Sequence, residues 1–133
     1  MNKKILLVDD DRDLLRGMGV SLRASGYDVV IAQDAVSAVM TARNARPDLI
    51  VLDIGLPGGD GFVVMERLQN LPTFIPVIVV SARESEPNRA RALEAGAQAF
   101  FRKPVDRQAF MASVQTALSQ PPTSLGARSS SSA

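Results

Sequence analysis

The chain has 133 residues, 46% of them hydrophobic and 22% charged, with 15 basic against 14 acidic side chains. That length supports one domain with one real core, and the near-neutral balance argues against a general nucleic-acid or membrane surface. Cysteine and histidine are both absent, which excludes disulfides, thiolate chemistry, histidine-bound zinc, histidine acid–base catalysis and phosphohistidine on this chain.

After Met1-Asn2-Lys3-Lys4, the apolar run Ile5-Leu6-Leu7-Val8 reads as a buried strand and is too short for a secretory leader. It stops at Asp9, Asp10 and Asp11. Leu14, Leu15, Met18 and Leu22 recur at helical spacing near 12–25, with Gly26 at the end, and Asp11 and Asp13 suit the start of that helix. Val29-Val30-Ile31 is a second, weaker strand. Asp34 can cap a helix carrying Ala35, Val36, Val39 and Ala42, which stops before Pro47. Leu49-Ile50-Val51-Leu52 is a strong third strand, followed by Asp53. Asp60 reads as a turn or cap residue for a third helix over 61–70, striped by Phe62, Met65 and Leu68. The run from Pro76 to Val80 is a fourth strand, followed by Ser81 and Ala82. A fourth helix from Glu84 to Ala95 has Pro87 in its first turn and Gly96 just beyond its end. Ala99-Phe100-Phe101 is a short fifth strand leading to Lys103-Pro104. Asp106 can cap a fifth helix with Phe110, Val114 and Leu118 inward.

The strand runs are continuous rather than alternating, as in a parallel sheet covered on both faces. Five β-α units joined by right-handed crossovers give an α/β, doubly wound, five-stranded parallel sheet with five helices and a helix layer on each side. This domain is expected to span 1–118. The remaining residues, 119–133, read SQPPTSLGARSSSSA, with one charge, Arg128, and one large apolar residue, Leu125. Such composition does not offset the entropy of ordering, so a disordered tail or linker stub is expected rather than a docking arm. No apolar run approaches the roughly 20 residues needed to span a bilayer, and a cytoplasmic location with no membrane contact is expected.

Ligands of open α/β sheets bind outside the carboxyl ends of the strands. Asp9, Asp10, Asp53, Ser81 and Lys103 all follow strand runs, so the topology collects them at one edge. Carboxylates converging there repel one another unless a positive charge lies among them, and a hard divalent cation such as Mg2+ answers that need. Asp10, Asp53 and the backbone carbonyl of Gly55 are its expected ligands, with Asp9 acting through a water. Lys103 adds a fixed positive charge and Ser81 a hydroxyl. A phosphoryl group on one carboxylate would find there the electrostatic partners that phosphoryl transfer demands. Taken singly, each aspartate also suits a plain turn or cap, and Lys103 also suits a solvent-facing position. It is the set of four strand ends that points to a site. A cis Lys103–Pro104 bond is expected to hold the lysine inward.

With those residues in place, the chain resembles the receiver domain of two-component response regulators, the fold of the bacterial chemotaxis regulator, over about residues 3–118. The resemblance rests on Ile5-Leu6-Leu7-Val8-Asp9-Asp10, on Asp53 through Gly61, on Val80-Ser81-Ala82, on Ala95-Gly96-Ala97 and on Lys103-Pro104. It implies a flavodoxin-like strand order 2-1-3-4-5. It also implies phosphorylation on Asp53, Mg2+ (with Mn2+ as an alternative) held by Asp9, Asp10, Asp53 and the Gly55 carbonyl, and phosphoryl contacts from Ser81 and Lys103. Ser81 and Phe100 become switch residues that move together and reshape the face made by the fourth helix, fifth strand and fifth helix. The implied donor is a histidine kinase or histidine phosphotransfer protein. The recipient is a downstream protein or an output domain outside this chain, and a phosphorylation-dependent homodimer is a further implied state. The chain is then no enzyme beyond promoting its own Mg2+-dependent phosphotransfer and autodephosphorylation.

Departures from the family pattern are mild. Ser81 stands where Thr is usual and lacks its methyl; Phe100 stands where Tyr is common; Leu56 replaces a frequent Met; and Gly55 offers only its backbone. Glu84 is expected to be a solvated carboxylate at a helix start rather than a participant in hydrolysis. Arg89, Arg91, Arg102 and Arg107 are expected on a solvated surface, with a salt-bridged partner face as the alternative. An active site for flavin or nucleotide chemistry lacks its usual phosphate cradle, since neither GxGxxG nor GxxxxGK occurs. A phosphorylation-independent interaction module with the same fold is the remaining alternative.

Overall fold

A computed structural model describes residues 2–56, 61–82 and 86–119. Asp60, Glu84 and the run containing Leu125 and Arg128 lie outside the described residues. Five strands and five helices alternate: β1 Lys4–Val8, α1 Arg12–Ala24, β2 Asp28–Ala32, α2 Ala35–Ala45, β3 Leu49–Asp53, α3 Gly61–Gln69, β4 Val77–Ser81, α4 Glu86–Glu94, β5 Ala99–Arg102 and α5 Arg107–Ser119. The sheet is parallel throughout, in the order β2-β1-β3-β4-β5. No helix among the described residues is long and apolar enough to cross a membrane.

Successive strand residues point to opposite faces, and each face has its own core. Leu6, Val8, Ile50, Leu52, Val77 and Val79 pack with residues of α2, α3 and α4. Ile5, Leu7, Leu49, Val51, Ile78 and Val80 pack with α1 and α5. Every residue of β3 and β4 is buried, whereas edge strand β2 buries only Ala32. This explains why the β3 and β4 runs are uninterruptedly apolar until their last residue.

Local side-chain chemistry sets the helix starts. Asp11 accepts from the N–H groups of Asp13 and Leu14, and Asp34 accepts from that of Ser37 at 2.8 Å. Asp106 accepts from the Ala109 N–H at 2.9 Å. Each satisfies donors that the helix itself cannot. Asp13 lies in the first turn of α1, one of the two positions expected for it. Gly26 and Gly96 take φ of +93° and +104° beyond the ends of α1 and α4, where a side chain would be strained.

Register positions the functional edge. Val8 pairs with Leu52, Asp53 with Val80, and Ser81 with Arg102. The ladder continues past the strands through Ile54 N–H to Val80 O at 3.3 Å and Lys103 N–H to Ser81 O at 2.8 Å. Asp9, Asp53, Ser81 and Lys103 therefore stand at neighbouring strand tips. Asp53 and Ser81 are the last strand residues themselves rather than the first residues beyond.

Candidate functional site

Asp9 is buried at the tip of β1. Its Oδ1 accepts from the Asp11 N–H at 3.0 Å. Its Oδ2 is buried and lies 2.7 Å from Lys103 Nζ, a close charge contact that is its one contact given by the structure. Asp53 is buried at the end of β3. Its Oδ1 accepts from the Gly55 N–H at 2.9 Å and its Oδ2 from Lys103 Nζ at 3.2 Å. One ammonium thus bridges two buried carboxylates. The Lys103–Pro104 peptide is cis, as expected from the sequence.

The electrostatics follow from this crowding. Burial pushes the Asp9 carboxyl up, and the neighbouring Asp53 adds to it; the Lys103 ammonium and the Asp11 N–H pull it down by less. Burial also opposes the charge on Lys103, but Asp9 and Asp53 outweigh it and hold the ammonium above the ordinary lysine range. Lys103 stays positive, and it alone does not fully compensate Asp9.

Asp10, next in the chain, is exposed. Asp9, Asp10 and Asp53 each offer a carboxylate oxygen, and these oxygens all lie within 4.8 Å of one another. Three carboxylates converging on one ammonium, two of them buried, leave negative charge that fits a hard divalent cation. A groove of about 420 Å³ opens at the opposite edge of the sheet beside Lys3, Pro47, Phe74, Pro76 and Leu118. It contains none of these aspartates.

Ser81 is buried at the end of β4. Phe100 is 8% exposed and belongs to the core cluster that includes Val79 and Ala92, so its ring lies in the interior.

The sequence of residues 5–115 matches the family described as the response regulator receiver domain. This chain belongs to that family. Among curated relatives, the receiver is 37% identical over 118 residues to the alkaline phosphatase synthesis transcriptional regulatory protein PhoP of Bacillus subtilis, covering 89% of this chain and 49% of that protein. It is 44% identical over 101 residues to the transcriptional regulatory protein PrrA of Mycobacterium tuberculosis, covering 76% and 43%. The receiver thus spans about half the length of the curated relatives it matches. Among solved structures, the CheY-like receiver domain protein from Methanospirillum hungatei superposes with a TM-score of 0.83 at 31% identity, covering 89% of this chain and 94% of that one.

Two features of the receiver escaped sequence reasoning. Gly61 begins α3 against the backbone of Ile54, and a Cβ there would clash with the Cα, carbonyl carbon and oxygen of Ile54. Only glycine lets α3 approach the segment that follows Asp53. Second, Arg89, Arg91, Arg102 and Arg107 are exposed, as expected, but two of them also lie over aromatic rings, Arg91 on Phe62 and Arg89 on Phe100. No local spacing signals a contact between residues so far apart in sequence.

Proposed function

We infer that the receiver accepts a phosphoryl group on Asp53 from a phosphohistidine on a partner kinase or phosphotransfer protein, and that it alters its α4–β5–α5 face in response. The observation that carries this reading is the Lys103 ammonium held 2.7 Å from Asp9 and 3.2 Å from Asp53, beside three clustered carboxylates.

In the proposed transfer an Asp53 oxygen attacks phosphorus in line. The new O–P bond forms as the P–N bond breaks, and the electron pair leaves with the donor imidazole nitrogen. The Gly55 N–H orients the Asp53 carboxylate through Oδ1. Lys103 already stands at Oδ2 and supplies a positive charge for the transferred oxygens, where fixed charge acts without reorganisation. Ser81 offers a hydroxyl from the neighbouring strand tip. A divalent cation, Mg2+ or alternatively Mn2+, held by Asp9, Asp10, Asp53 and the Gly55 carbonyl, would supply further neutralisation of phosphoryl charge. Loss of the acyl phosphate returns the Asp53 carboxylate and releases phosphate when water attacks phosphorus and the O–P bond to Asp53 breaks. Because related proteins of about twice this length bear the names of transcriptional regulators, the proposed recipient of the signal is an output domain or a separate downstream protein.

Phosphotransfer from a panel of histidine kinases tests the reading. Label is expected on the wild-type chain and not on Asp53→Ala. Label that survives Asp53→Ala would overturn the assignment.

A further inference from the structure

We propose that Arg91 is a positioning residue that ties α4 to α3 through the ring of Phe62 and sets how readily α4 moves relative to the acidic edge. Helix α4 is thinly anchored. Of its described side chains only Ala92 is buried, and Leu93 is 43% exposed. By contrast, α5 buries Phe110, Val114 and Ala117. Between α3 and α4 lies a cleft of about 350 Å³, lined by Phe62, Glu66, Gln69, Asn70, Arg91 and Ala95.

The Arg91 guanidinium carbon lies 4.0 Å from the centre of the Phe62 ring across that cleft. A flat guanidinium on a ring face combines charge–quadrupole attraction with stacking. A second, longer contact places the Arg89 guanidinium 5.9 Å from the centre of the Phe100 ring on β5. Helix α4 therefore gains from arginine–aromatic contacts much of the anchoring that apolar burial gives the other helices. In the chain it lies between Ser81, the end of β4, and Lys103, just after β5. The chain thus joins α4 to both polar residues of the acidic edge that are not carboxylates, which makes α4 the element whose shift would be linked to a change at that edge. The closer contact, Arg91 with Phe62, sets the resistance to that shift.

Amide hydrogen exchange on the full chain tests this. In Phe62→Leu and Arg91→Gln, amides of residues 88–94 are expected to exchange about two- to fivefold faster than in wild type, the size of one partly exposed cation–π contact. Those of α1 and α5 keep their wild-type rates. Phe62→Tyr, which retains the ring, restores slow exchange, and the double variant exchanges no faster than either single one. Unchanged exchange in α4, an equal rise in every helix, or equal effects of Leu and Tyr at position 62 would overturn the proposal. A last arm rests on the function proposed above. With acetyl phosphate and Mg2+, α4 exchange should respond in wild type and respond less in Arg91→Gln. A wild-type chain that takes up no phosphoryl group would sink the functional reading, while the exchange rates without donor would still decide the role of Arg91.

Discussion

The acidic edge and helix α4 adjoin each other and are built in opposite ways. At the edge, Asp9, Asp53 and Ser81 are buried on the tips of strands that are themselves buried, and their positions are fixed by ladder register. Helix α4 buries one side chain among its described residues and adds arginine–aromatic contacts through Arg89 and Arg91. A buried, electrostatically crowded site thus abuts a helix with little apolar burial. That division suits a switch, because a small change of charge at the fixed part can be expressed as displacement of the loose part.

The sharpest way to break the comparison is at Lys103. Removing one partner of a buried ion pair leaves uncompensated charge. Lys103→Met is therefore expected to lower metal-free stability by about 3 kcal/mol in urea unfolding, and Asp9→Asn added to it should recover part of the loss. Asp9 itself gives a signed pH effect. Its folded-state pKa is raised, so the folded protein binds that proton more tightly than the unfolded chain. The metal-free wild type should lose stability as pH rises from the ordinary carboxylate range towards the raised value, and Asp9→Asn should lack that loss. Lys103 acts at the other end of the scale. Its folded pKa is also raised, so its contribution is present below the unfolded lysine value and fades as pH rises through the folded one.

Gly61→Ala should cost less, about 1–3 kcal/mol, by forcing α3 from Ile54. Chemical shifts should move at Asp53 and Gly55 more than in β5. The smallest effect belongs to the exposed cap of α2. Asp34 is exposed, and its carboxyl is held below the usual range by the Ser37 N–H. Asp34→Ala should destabilise slightly at neutral pH, and the difference from wild type should vanish as pH falls through the lowered value. A difference that persists in acid would assign the effect to helix propensity instead.

The division between these regions also explains what the sequence disclosed. The parallel sheet, the two helix layers and the gathering of Asp9, Asp53, Ser81 and Lys103 were legible because strands buried on both faces leave unbroken apolar runs, whereas the strand order came only from the family resemblance. The residues at their carboxyl ends are then placed by topology. Caps at Asp11, Asp34 and Asp106 were legible because each acts on N–H groups two or three residues ahead. Strand ends were less so. Polar Asp53 and Ser81 close β3 and β4 because backbone ladders continue regardless of side-chain polarity. The attachment of α4 was not legible. Arg91 meets Phe62, and Arg89 meets Phe100, only once the sheet brings distant segments together, so the exposure of these arginines was legible and their ring contacts were not. The need for glycine at position 61 likewise depends on the backbone of Ile54 across the loop.

The most direct test of the central claim is intact-mass analysis of the chain after incubation with acetyl phosphate and Mg2+. The account predicts the addition of one phosphoryl group to wild type, its absence without a divalent ion, and its absence in Asp53→Asn. An unmodified wild type, or a modification that persists in Asp53→Asn, would contradict it.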